Sequence, residues 1–245
     1  MTYYNFVGKL GGGSNRVLEL AKALSNYASI KILHRGPDMV SNNLEFIGYK
    51  SIFSDATNWI SDAISPYVSF AFPDFYRVAK SLVASADVVQ VEQPYLLIPI
   101  LILIRTLRLS KDPIISLDAH NVDFVTVKSK LAGASPNSIL TVMTLPYVFL
   151  SERFSVKNAD IILCVSQKDR ELFVKFYRVS KSKLFVIPNG VNFEKFEKAK
   201  PIYDNSVKNS KTVFFHGTLS WYPNLEAANI IVCLLYTSPS PRDRG

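Results

Sequence analysis

Cysteine is nearly absent from this chain, with only Cys164 and Cys233 in 245 residues. So small a number excludes a disulfide framework and points to a reducing compartment. Histidine is almost as sparse. His34, His120 and His216 are the only three, and none stands at ligand spacing from a second histidine or cysteine, so no metal site is expected. No apolar run reaches the roughly 18 to 20 residues that a membrane-spanning helix needs. The nearest, Tyr95 to Ile104, is broken by Pro99. It predicts a helix buried against a sheet, with a membrane-dipping helix as the alternative. The N-terminus lacks the basic start and apolar core of a signal peptide, which predicts a cytoplasmic protein. Absent too are the spacings GxGxxG, GxxxxGK[ST] and GxSxG, and with them the usual marks of a dinucleotide-binding dehydrogenase, a P-loop enzyme and an α/β-hydrolase. There is no RGG run, no zinc-finger spacing and no aromatic interleaving of a basic strand, so nucleic acid is not an expected partner.

What is present suits a folded protein. Apolar residues make up 48% of the chain and charged ones 20%, enough for one large core and part of a second. Lysine and arginine exceed aspartate and glutamate by 28 to 20, a formal charge of +8. Most of the excess lies after Lys111. Such a surplus favours anionic partners, among them phosphate-bearing small molecules and an acidic membrane face.

The periodicity alternates between strand and helix. Val17, Leu18, Ala21 and Leu24 recur at helical spacing, predicting a helix from about residue 15 to 26 capped by Ser14 or Asn15. Strands are expected at 30–34, 44–49, 88–92, 114–118, 161–165 and 184–187, and helices at 74–85, 95–108, 137–158 and 167–177. This order predicts an α/β fold, a doubly wound Rossmann-like parallel sheet with right-handed crossovers. Pro188 stops the last strand, and Asn189-Gly190 allows a sharp turn. The domain should therefore span residues 1–191. A polar linker follows at 192–210, then the first strand and helix of a second, incomplete α/β domain at 211–232. From Cys233 the helical pattern breaks into a Ser-Pro-rich end, and 233–245 is expected to be a non-native tail.

In such sheets ligands collect at the carboxyl ends of the strands. Gly11-Gly12-Gly13 lies just before the first helix, where backbone N–H groups and the positive helix end could receive a phosphate, and Arg16 adds a cation that favours an anion or an acidic side chain. His120 and Asn121 follow a buried strand directly. His120 could hydrogen-bond a substrate hydroxyl, with Asp118 or Asp123 holding its tautomer. Glu92 ends another strand near the same crevice. Ser166 follows a third and is placed to cap the next helix. The aromatic-rich stretch at 51–72 could form an acceptor-selecting loop or a hydrophobic lid.

These residues together resemble glycosyltransferase family 4, the retaining enzymes of the GT-B fold. The likeness rests on Gly11-Gly12-Gly13 with Arg16 and the helix Leu18 to Leu24, on His120-Asn121-Val122, on Val165-Ser166, on Ile187-Pro188-Asn189-Gly190-Val191, and on Gly217 to Asn224. It implies transfer of a sugar from a nucleotide-sugar to a glycan or lipid-phosphate acceptor without a metal or other cofactor. It places Gly12 and Gly13 near the donor diphosphate and His120 by the transferred sugar, the catalytic position. Arg16, Glu92, Asn121 and Ser166 complete the expected substrate-binding set. The family's Glu-x7-Glu pair has no counterpart, since no two glutamates stand eight apart. This departure implies that the donor half is missing and that the chain is inactive alone. A peripheral position at the inner membrane face fits the basic charge. A non-catalytic binding module of the same fold and a nucleotide-sugar epimerase are the alternatives. The short apolar start, Tyr3 to Val7, predicts a shortened central strand.

Overall fold

In the computed structural model, the described residues are 1, 2, 4, 6, 7, 11–41, 44–50, 73–132, 138–191, 193, 197, 214–217, 219 and 222–237. The chain divides into two compact units, Met1–Val191 and Asn192–Gly245.

The first unit opens with helix α1 (Gly12–Leu24), followed by strands β1 (Lys31–Arg35), β2 (Met39–Ser41) and β3 (Leu44–Tyr49). Helix α2 (Pro73–Ala84) leads to β4 (Val88–Val91), α3 (Pro94–Leu107) and β5 (Ile114–Ala119). Helices α4 (Asp123–Ala132) and α5 (Ser138–Asn158) connect to β6 (Ile161–Cys164), and α6 (Gln167–Tyr177) connects to β7 (Leu184–Val186). Strands β4, β5, β6 and β7 are neighbours in chain order and all parallel. Helical crossovers make this possible, because parallel neighbours cannot be joined by a tight turn. The result is the parallel sheet flanked by helices that the alternating periodicity predicts.

A smaller sheet has the order β1-β3-β2, with β1 and β3 parallel and β2 antiparallel. The three-residue β2 escaped sequence reading because Met39, Val40 and Ser41 carry too little period to register. The N-terminal residues link the sheets. Thr2 N donates to Leu33 O at 3.0 Å and Arg35 N to Tyr4 O at 3.2 Å on the β1 side. On the β4 side Glu92 N donates to Met1 O at 3.0 Å, and the Met1 amine donates to Gln90 O. The expected central strand is thus represented by a short segment that takes hydrogen bonds from both neighbours.

Two cores lie under these sheets. The larger gathers Val91, Leu97, Ile100, Leu117, Ile162, Phe173 and Tyr177, while Phe6, Val17, Ile32, Leu44 and Phe46 form the smaller beneath α1. Helix α3 buries Leu96, Leu97, Ile100, Leu103 and Ile104, which explains its apolar run as core. Pro94 occupies its first turn, where a missing N–H costs nothing, and Gln93 before it is extended. No helix among the described residues is long and apolar enough to cross a membrane.

Three expectations change. Helix α1 starts at Gly12, not near 15, with Gly11 as its N-cap and no side-chain cap. Ser14 instead donates its hydroxyl to Gly11 O at 3.0 Å. The helix expected at 137–158 is α5, but an unexpected helix, α4, precedes it, beginning at Asp123 under a cap supplied from elsewhere in the fold, described below. In the second unit, helix α7 (Tyr222–Thr237) runs through Cys233 to Thr237, so the break in pattern at Cys233 is not a helix end. Residues 51–72 and 238–245 lie outside the described residues, as do those of 192–213 other than 193 and 197.

Candidate active site

The carboxyl ends of β4, β5 and β7 and the first turn of α1 converge on one group of polar side chains. Arg16 lies at its centre. Its Nη2 donates to Asp118 Oδ1 at 2.9 Å and its Nε to Asp118 Oδ2 at 3.0 Å, in a fork that matches the carboxylate. Its Nη1 donates to Asn189 Oδ1 at 3.0 Å. The cation that opposes the helix dipole therefore has an acidic side-chain partner, the second of the two partner types expected for it. The pair is enclosed, with side chains 5% and 0% exposed. Burial pushes the Asp118 carboxyl above its usual range, with the Arg16 hydrogen bonds pulling it down and the Glu92 charge adding to the rise.

His120 follows β5. Its Nε2 lies 3.2 Å from Glu92 Oε2, and its Nδ1 lies 3.2 Å from the Tyr4 hydroxyl. This corrects the expected tautomer partners. Asp118 is engaged by Arg16, and the carboxylate that meets the His120 ring is Glu92. Glu92 is fixed in turn by Gln90, whose Nε2 donates to Oε1 at 2.9 Å. The Tyr4 hydroxyl also receives Gln93 Nε2 at 3.3 Å.

Gly13 joins this network to the helix terminus. A Cβ there would stand 2.0 Å from the Tyr4 hydroxyl oxygen and 3.2 Å from His120 Nδ1, so the first turn of α1 lies directly against the imidazole. At Gly11 and Gly12 the same construction meets nothing within 4 Å. The N–H groups of Gly12, Gly13 and Ser14 have no intrahelical acceptor. An anion at this terminus would be received by backbone donors and the helix dipole.

Gly12, Gly13, Arg16, Glu92 and His120 are thus brought together. Asn121 is exposed on the adjoining turn. Ser166 is used as a cap, accepting Asp169 N at 3.1 Å and donating to Asp169 Oδ2. Sequence reading missed Tyr4, Gln90 and Gln93 as site residues, since a lone tyrosine and two glutamines carry no recognisable spacing. It also missed Glu152. That residue, on α5, accepts Asp123 N at 2.8 Å and Phe124 N at 3.0 Å, and it receives the Tyr177 hydroxyl. A carboxylate on α5 therefore caps the start of the preceding helix, three residues beyond His120. A glutamate inside an apolar helix is the one signal that could have drawn attention to it.

One oxygen or nitrogen each from Glu92, Asp118 and His120 lies within 4.8 Å of the others, the separation that a shared cation would require. The residues fit such an ion poorly. Arg16 already directs a positive guanidinium at Asp118, and a second cation would compete for the same carboxylate oxygens.

A parallel four-stranded sheet flanked by helices, with a polar cluster at the carboxyl ends of its strands, makes this a Rossmann-like α/β domain. The chain belongs to glycosyltransferase family 4, whose family model matches residues 10–195. No curated protein matches the sequence. Among solved structures, sucrose-phosphate synthase from Thermosynechococcus elongatus superposes with a TM-score of 0.55 at 18% identity. The match covers 75% of this chain and 44% of that one, so the likeness is one of fold and spans less than half of the synthase.

Proposed function

We propose that this protein takes part in retaining transfer of a sugar from a nucleotide-sugar to a glycan or lipid-phosphate acceptor. One observation carries the reading: the first turn of α1 and the His120 imidazole meet at Gly13, so a diphosphate at the helix terminus would place its sugar against the histidine. Gly12 and Gly13 would receive the diphosphate through backbone N–H groups. His120 would hydrogen-bond a hydroxyl of the transferred sugar, with Glu92 orienting the ring. Asn121, exposed on the adjoining turn, would add a substrate contact. Arg16 acts through Asp118 and Asn189, holding the ends of β5 and β7 to the helix. The first unit has no Glu-x7-Glu pair, so it is assigned the acceptor side and the diphosphate end of the donor.

This chemistry asks for no metal, since the helix terminus supplies positive potential where the leaving diphosphate gains charge. The cluster of Glu92, Asp118 and His120 is assigned as an ion-pair and hydrogen-bond network.

The basic excess supports a peripheral contact with an anionic membrane at the cytoplasmic face. Helix α5 presents Tyr147, Leu150 and Phe154 to solvent with Arg153 and Lys157 beside them. Apolar side chains with flanking cations suit a lipid surface.

The decisive experiment joins this chain to the donor half that carries the Glu-x7-Glu pair, incubates that longer form with UDP- and GDP-sugars and candidate polyprenyl-phosphate or glycan acceptors, and follows product anomeric configuration by NMR. Retained configuration supports the reading, and an inverted product refutes the retaining mechanism. Binding without transfer would favour a non-catalytic module, and conversion of the nucleotide-sugar itself would favour an epimerase. Flotation with phosphatidylglycerol vesicles tests the membrane contact, which neutral vesicles should not reproduce.

A further inference from the structure

Both ring nitrogens of His120 are already engaged within the protein, which leaves nothing for a ligand until one partner withdraws. Glu92 accepts at Nε2, and a carboxylate there selects the Nε2–H tautomer. The lone pair then lies on Nδ1, so the Tyr4 hydroxyl donates to it and receives Gln93 Nε2 in turn. Donation runs in one direction, from Gln93 through Tyr4 and His120 to Glu92.

The two partners are not held alike. Glu92 is 3% exposed, sits at the end of β4 and is anchored by Gln90. Tyr4 is half-buried on the segment ahead of α1, and its hydroxyl rests where Gly13 lacks a side chain. It stands against the first turn of α1 at Gly13. Its ring stacks near the imidazole, with centroids 6.0 Å apart, and turning Tyr4 about its own side-chain bonds would free Nδ1 without moving Glu92.

We infer that Tyr4 is a specificity-determining residue, a displaceable hydroxyl that occupies His120 Nδ1 in the free protein and that a ligand hydroxyl must replace. The inference rests on the assignment of His120 to the sugar. The exchange is hydroxyl for hydroxyl, so Nδ1 stays satisfied only when the incoming group is itself a donor. A ligand with hydrogen in place of that hydroxyl would leave Tyr4 seated and the site closed. A sugar hydroxyl has the required chemistry, and an ether or carbonyl oxygen does not.

The test compares the parent protein with Tyr4→Phe, each carried on through the donor half for the binding arm, using 15N NMR of labelled histidine and calorimetry with UDP-glucose and GDP-mannose as probes. With the imidazole neutral, Tyr4→Phe should shift the Nδ1 resonance downfield towards that of an unbonded imine nitrogen and leave Nε2 in place. The same variant should bind the accepted probe about three- to tenfold more tightly, the effect of removing one competing neutral hydrogen bond. An unchanged Nδ1 resonance overturns the inference. So does a probe that binds the parent and binds the variant equally or more weakly, although that result leaves the sugar assignment standing. A shifted Nδ1 with no binding of either probe to either protein refutes the sugar assignment and the displacement together, while the Tyr4 contact stands. Should Tyr4→Phe fail to fold, Gln93→Leu weakens donation from the same hydroxyl and should shift Nδ1 the same way by less; no shift there has the same overturning force.

Discussion

Arg16 and Asp118, 102 residues apart, form a buried ion pair in which Nε and Nη2 each direct a hydrogen at the carboxylate. It joins the second turn of α1 to the end of β5. Neither residue can be removed alone without stranding the other away from water. Arg16→Met should therefore cost about 3 to 5 kcal/mol in urea unfolding, and Arg16→Met with Asp118→Leu should cost less than the single change. Equal unfolding midpoints for Arg16→Met and the parent would show that the pair contributes nothing.

Glu152 controls a pH dependence of stability. Burial raises its carboxyl above the ordinary range, with the Tyr177 hydroxyl and the N–H groups of Phe124 and Asp123 pulling it down. The Tyr177 hydroxyl is raised in turn, by burial and then by the neighbouring carboxylate. A carboxyl that holds its proton more tightly when folded makes the native state bind more protons than the unfolded one. Stability then falls as pH rises from about 4, the ordinary carboxylate value, through the raised one. Asp118 is raised as well and contributes the same sign. Glu152→Gln should lower stability by about 1 to 2 kcal/mol through the lost cap and should flatten this decline. Unfolding curves taken between mildly acidic and neutral pH would reveal an unaltered slope if the assignment is wrong.

Gly12 and Gly13 should respond differently to the same substitution. A Cβ at position 12 meets open space, so Gly12→Ala should gain stability by up to about 1 kcal/mol from helix propensity. At position 13 the methyl collides with the Tyr4 hydroxyl, the far end of a rotatable side chain. Gly13→Ala should move Tyr4 off His120 and change the imidazole 15N spectrum, which Gly12→Ala should leave alone. Identical spectra for the two variants would contradict the contact.

The two cysteines should differ in reactivity. Burial pushes the Cys164 thiol up to about 12, whereas Cys233 is exposed on α7. At mildly alkaline pH a disulfide reagent should modify one thiol quickly and the second only on unfolding, because the thiolate is the reacting species. Two equivalents consumed rapidly by native protein would be the contrary result.

Much of the fold was legible because its signals are local. Leu44 to Tyr49 and Gln167 to Tyr177 match the expected bounds residue for residue, and the parallel sheet follows from alternating strand and helix patterns. The start of α1 was misplaced because glycine is a poor helix former. Gly12 and Gly13 are helical all the same, and at Gly13 the missing side chain leaves the room that the Tyr4 hydroxyl takes up beside His120. The site was legible as a set of strand ends, and Arg16, Glu92 and His120 do meet. Their pairing was not. Asp118 is two residues from His120 in the chain and was the natural partner, yet alternate residues of a strand and its exit turn need not face one ligand. Which carboxylate meets which cation depended on Tyr4, Glu92 and Asn189, brought from 116, 28 and 173 residues away.

The segment Met1 to Tyr4 carries a burden out of proportion to its length. Among the described residues, its hydrogen bonds to Leu33 and Arg35 on one side and Gln90 and Glu92 on the other lie between the two sheets. If it frays, the sheets lose their common seam and His120 loses Tyr4 in one event. Opening of the seam and uncovering of the imidazole are therefore a single cooperative step, so amide exchange at Arg35 and Glu92 should report on the state of the site.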